Sequence, residues 1–136
     1  CLTDLSELRC CSKFPVQLSH ICHNLQSISI LFSVGNVSNE LKVFISSQNN
    51  LKSLELSARD RCKNWADIIP ALKKNSHTLT KFHFYIDGNI LPLSLVSLFL
   101  NLQEIKIITH SQREEFKVLH VNFPQLQTLK IYVLQL

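Results

Sequence analysis

The chain has 136 residues, 46% of them hydrophobic and 18% charged, which is the balance of a cored domain and not of a disordered segment. Fourteen basic residues against ten acidic give a net charge of +4, too weak and too scattered to predict nucleic-acid binding. Two glycines and four prolines exclude a flexible linker or low-complexity tract, and no apolar run approaches the roughly 20 residues of a membrane span.

Along the chain one pattern recurs, Leu-x-x-Φ-x-Φ with Φ apolar. It runs Leu5-Ser6-Glu7-Leu8-Arg9-Cys10, then Leu25-Gln26-Ser27-Ile28-Ser29-Ile30, then Leu51-Lys52-Ser53-Leu54-Glu55-Leu56. It continues as Leu79-Thr80-Lys81-Phe82-His83-Phe84, Leu102-Gln103-Glu104-Ile105-Lys106-Ile107 and Leu126-Gln127-Thr128-Leu129-Lys130-Ile131. Apolar and polar residues alternate with period two, so each unit predicts a short strand with one face buried.

Between the units the spacing turns helical. Pro15 stands where a first helical turn tolerates it, and Leu18, Ile21, Cys22 and Leu25 follow at three- or four-residue steps. Val37, Leu41, Phe44 and Ile45 share one helical face, with Ser38 or Asn39 as its cap. Trp65, Ile68, Ile69 and Leu72 form the next stripe, which Pro70 splits into two short helices. A helix is predicted from about Leu91 to Phe99, and a helical or 3₁₀ stretch from Phe116 to Phe123.

The leading leucines at 5, 25, 51, 79, 102 and 126 are 20, 26, 28, 23 and 24 residues apart, which is the period of leucine-rich repeats. The expectation is an α/β leucine-rich-repeat solenoid, a horseshoe segment of about six repeats. Its parallel strands would line the concave face and its helices the convex face, because neither element alone can bury its apolar side. Residues 1–136 then form a single domain and read as a fragment of a longer array, since the chain starts at Cys1 and its last strand is an apolar edge. A doubly wound α/β sheet is the competing architecture. Its strands are buried on both faces, whereas here every second strand residue is polar.

The five cysteines, among them the adjacent Cys10-Cys11, show no spacing of a disulfide framework, so reduced thiols and a cytoplasmic or nuclear location are expected. His20-Ile21-Cys22-His23 fits no zinc-ligand spacing, and Cys22 falls on the buried stripe. No nucleophile motif is present, and Glu114-Glu115 reads as a solvated loop pair. No catalytic residue, metal site or cofactor is therefore assigned.

The Asn-Leu-x-x-Φ-x-Φ units at Asn24, Asn50 and Asn101, the variants His77-Thr78-Leu79 and Pro124-Gln125-Leu126, and the connector Ile69-Pro70-Ala71-Leu72-Lys73-Lys74-Asn75 resemble the repeats of intracellular F-box proteins. The likeness is strongest to the large fungal F-box/leucine-rich-repeat families and spans about Leu5 to Ile131. It implies the substrate-recognition part of a ubiquitin-ligase adaptor, a binding module and not an enzyme, with the Skp adaptor docked through an F-box segment that this chain lacks. In place of the Asn or Cys that many such repeats carry three residues after the last Φ, this chain has Lys13, Ser33, Arg59, Asp87, His110 and Leu134. The alternative function is a free-standing repeat regulator without an F-box, an enzyme inhibitor or a GTPase activator using an exposed arginine such as Arg59 or Arg61.

Residues that alternate away from the core form columns across the strands. His83, Lys106 and Lys130 stack in one, with Lys81 beside them, and Tyr85, Ile108 and Tyr132 stack in the next. These seven residues are the expected partner-binding surface, suited to a protein or peptide with an acidic or phosphorylated group beside an apolar anchor. The bland alternative is that the lysines only solvate an exposed strand face. Neither nucleic acid nor a membrane is expected as a partner.

Overall fold

The computed structural model describes residues 5–11, 16–32, 37–58, 65–86, 98–109 and 124–134. Each of the six sequence units forms a strand: β1 Glu7–Cys11, β2 Ser27–Phe32, β3 Ser53–Ala58, β4 Lys81–Ile86, β5 Glu104–Thr109 and β6 Thr128–Val133. They make one sheet in the order β1-β2-β3-β4-β5-β6, every neighbouring pair parallel. The strand order follows the chain without reversing, so the sheet has no switch point of the doubly wound kind. The architecture is α/β with few helices, compatible with a solenoid.

Register is set by the motif. Leu8, Ile28, Leu54, Phe82, Ile105 and Leu129 lie side by side across all six strands, and so do Cys10, Ile30, Leu56, Phe84, Ile107 and Ile131. A one-residue slip would turn every apolar side chain to the other face, which is why the register holds. One backbone contact repeats with it. The carbonyl after each leading leucine, in Ser6, Gln26, Lys52, Thr80 and Gln103, accepts two N–H groups from the start of the next strand, at 2.8–3.1 Å. The variable spacing of 20 to 28 residues is thus absorbed by the connectors, not by the sheet.

One face of the sheet is covered. Ile28, Ile30, Phe32, Leu54, Leu56, Phe82, Ile105 and Ile107 are almost wholly buried there, with Leu25, Leu51, Leu79 and Leu102 from the motif's first position. Each such side chain contributes about 1.5–3 kcal/mol of burial free energy. Phe82 stacks between Phe84 and Phe99, at centroid distances of 5.7 and 6.1 Å.

Helix α1, Asn39–Ser46, lies in the connector between β2 and β3. Ser38 caps it by accepting from the Leu41 N–H at 3.2 Å, and Val37, Leu41, Phe44 and Ile45 are its buried stripe, as the spacing predicts. The next connector is a run of short turns: 3₁₀ at Trp65–Ile68, α2 at Ile69–Leu72, 3₁₀ again at Lys73–Asn75. Pro70 sits in the first turn of α2, where its missing N–H leaves no bond unmade. The break predicted at the proline therefore falls just before it. Ile68 and Leu72 are buried and Ile69 partly so.

Two expectations need correcting. The segment after Pro15 is a 3₁₀ turn at Val16–His20, not an α-helix, and Ile21, assigned to its buried stripe, is 41% exposed. At 20 residues this is the shortest step in the chain, and its connector is closed by a short 3₁₀ turn. The helices expected at 91–99 and 116–123 lie outside the described residues, apart from the exposed Leu98 and the buried Phe99. No helix among the described residues is long and apolar enough to cross a membrane.

Three side-chain amides tie consecutive units together. The buried Gln48 donates to the Cys22 carbonyl at 2.7 Å and accepts from the Leu25 N–H at 3.0 Å. The buried Asn75 donates to the Ile45 carbonyl at 3.1 Å, and Asn101 donates to the His77 carbonyl at 2.7 Å. Each reaches one unit back; the bonds of Gln48 and Asn75 are buried, whereas that of Asn101 is exposed.

Candidate functional site

The face opposite the core is uncovered among the described residues, and the strand alternation delivers its side chains in rows. Lys81 aligns with Glu104 and Thr128; His83 with Lys106 and Lys130; Tyr85 with Ile108 and Tyr132. All seven residues expected in the site are brought together on β4, β5 and β6. Lys81, Lys130 and Tyr132 are exposed, and His83, Tyr85, Lys106 and Ile108 are half-buried.

Their surroundings are specific. The Lys106 ammonium stands 5.7 Å from the centroid of the Tyr132 ring, a cation–π distance that holds the charge on the surface beside an aromatic face. Nε2 of His83 is 3.6 Å from a carboxylate oxygen of Glu104, and the pair is ionic only when the imidazole carries both protons. That nitrogen is shielded from solvent and has no hydrogen-bond partner among the described residues. Glu104 also aligns with Lys81 in register.

Between these rows lies a cleft of about 70 Å³ lined by Glu55, His83, Phe84, Tyr85, Lys106 and Ile108. A small-molecule site needs roughly 300 Å³ or more, so this dimple fits a single side chain of a larger ligand. Glu55, on β3 opposite His83, belongs to the cleft although the sequence columns gave it no special weight. The signal was present in its position: it is the neighbour of His83 in the same row.

The other sequence candidates fall elsewhere. Cys22 is buried in the core, while His20 and His23 are exposed, which is the arrangement of a structural cysteine with surface histidines. On β1, Cys10 is half-buried and Cys11 exposed; the two point to opposite faces and are free thiols. Burial, and next the neighbouring Cys11, push the Cys10 thiol up to about 11. Among the described residues no three His, Cys, Asp or Glu side chains group as metal ligands. Arg59, Arg61 and Glu114-Glu115 lie outside the described residues.

The arrangement joins side chains of three neighbouring strands into one surface. It offers fixed positive charge, an aromatic and aliphatic strip, and a small dimple between them. Comparison with protein-family models, with curated proteins and with solved structures gives no match to this chain.

Proposed function

We propose that this chain is a leucine-rich-repeat segment whose open sheet face binds a protein or peptide, and that it serves as the substrate-recognition part of an F-box ubiquitin-ligase adaptor. The ligand is an acidic or phosphorylated segment with an apolar anchor. The sheet supplies recognition only; the Skp adaptor is met by an F-box outside these 136 residues, and ubiquitin transfer belongs to partner proteins in the cytoplasm or nucleus.

One observation carries the binding reading: the common register stacks His83, Lys106 and Lys130 in one row and Tyr85, Ile108 and Tyr132 in the next, on the uncovered face. The repeat period and the shared backbone contact between units support the repeat type. The F-box assignment rests on the motif resemblance alone.

Two experiments test it. Full-length protein from the complete coding sequence should capture the Skp adaptor through a segment outside the 136 residues; no capture removes the F-box reading. The 136-residue chain should bind arrayed acetylated nonapeptides carrying phosphoserine or glutamate beside leucine or phenylalanine. Lys106→Glu with Lys130→Glu should weaken that binding about tenfold or more with the melting midpoint unchanged. Unaltered affinity would remove the basic row from the site.

A further inference from the structure

The row that crosses the middle of the open face is ordered by charge. In register it reads Arg9, Ser29, Glu55, His83, Lys106, Lys130. Arg9 lies 3.6 Å from Glu7, so those two charges offset each other. Glu55 is exposed and has no ion-pair partner among the described residues. It is therefore a free negative charge at one side of the cleft. Lys106 is the positive charge at the other side, with Lys130 next to it in register, and the half-buried imidazole of His83 stands between Glu55 and Lys106.

From this order we infer that the partner segment is bipolar: it crosses the strands with a basic residue over Glu55 and its acidic or phosphorylated residue over Lys106 and Lys130. The inference rests on the binding reading above and sharpens it. A purely acidic ligand long enough to cover the row would lay negative charge on Glu55. Glu55 and Lys106 stand two strands apart, about 10 Å at 4.8 Å per strand, and an extended peptide advances about 3.3 Å per residue. The basic residue thus lies about three positions from the acidic one. That separation is close to the screening length of about 8 Å at physiological salt, so the ligand senses both charges as distinct sites. The intervening residues pass over the dimple beside His83, Tyr85 and Ile108, which admits one short side chain.

The test uses the same nonapeptides, with glutamate or phosphoserine fixed and lysine, alanine or glutamate placed in turn two, three, four and five positions away on either side. Binding to the 136-residue chain is read by fluorescence anisotropy. Lysine three residues from the acid, on one side only, should bind at least fivefold tighter than alanine, and glutamate there at least fivefold weaker. Glu55→Lys should reverse that order, and Glu55→Gln should flatten it; both are exposed-site changes whose melting midpoints are checked first. If acidic peptides bind and depend on Lys106 but ignore the flanking charge and both Glu55 variants, the bipolar partner is refuted and the acidic-ligand reading stands. If no peptide binds, or binding ignores Lys106 and Glu55 alike, both are refuted. Equal binding of heparin and peptide would make the face a general polyanion surface and also refute the inference.

Discussion

The two halves of the sheet share a core and differ in what they show to solvent. On the covered side β2 and β3 bury Ile28, Ile30, Leu54 and Leu56, and β4 and β5 bury Phe82, Phe84, Ile105 and Ile107 in the same register. On the open side β2 and β3 carry Ser27, Ser29, Ser53 and Ser57, whereas β4 to β6 carry Lys81, His83, Tyr85, Lys106, Lys130 and Tyr132. Leu31 and Glu55 are the exceptions on β2 and β3; the four serines show that short hydroxyls suffice to solvate most of that half. Long cationic and aromatic side chains on the other half are therefore not explained by folding. They cost more side-chain entropy to order, which under the proposed function a bound partner would offset.

That contrast is broken most severely by exchanging the two faces within one strand. Leu54 is fully buried in β3, and Leu54→Asp places a carboxylate in the apolar layer without a partner. It should cost about 4–5 kcal/mol or more and abolish cooperative unfolding, read by circular dichroism on heating. Ser53→Asp, one residue away on the open face, should change stability by only about 0.5 kcal/mol. Similar effects from the two would mean that the faces are not distinct and that the repeat register is wrong.

A second pair sharpens the comparison at the joints between units. Gln48 is buried and bonds both the Cys22 carbonyl and the Leu25 N–H, so Gln48→Ala removes the side-chain acceptor of the buried Leu25 N–H and one donor to the Cys22 carbonyl. Its expected cost is about 2–3 kcal/mol in a denaturant titration. Asn101 makes the equivalent bond between later units in a solvent-exposed setting, where water replaces the lost donor. Asn101→Ala should therefore cost about 0.5–1 kcal/mol. Equal losses would show that burial does not distinguish the two joints.

The sheet was legible in the sequence because its signal is local and repeated. Alternation within Leu-x-x-Φ-x-Φ places each strand, and the motif's identity from unit to unit places the register. That the seven proposed binding residues are neighbours was legible for the same reason, since register turns sequence columns into neighbours. Connectors were harder. The segment after Pro15 has helical spacing but only 20 residues of step in which to return to the next strand, and tertiary closure selected a 3₁₀ turn. The linking role of Gln48, Asn75 and Asn101 was missed, although Asn101 belongs to the Asn-Leu motif, because they stand three, four and one residues before their leucines. They have no common column, and only the carbonyls they reach define them. The weight of Glu55 likewise depended on the cleft, a property of three strands together and not of any one.

Cys10 offers the mildest test, directed at β1 as the strand that flanks the serine half. Its thiol is half-buried on the covered side, and its folded value of about 11 stands above the ordinary 9.0 because burial, and then Cys11, disfavour the thiolate. A raised value means that the native state holds its proton more tightly than the unfolded chain does. This contribution to stability is complete below about pH 9 and is lost as pH rises toward about 11. Denaturation midpoints of the parent and Cys10→Ala should thus run parallel from pH 7 to 8.5. Between pH 9 and 11 the parent should fall faster. Parallel curves throughout would mean that the Cys10 side of β1 is open to water, and that the shared core stops at β2.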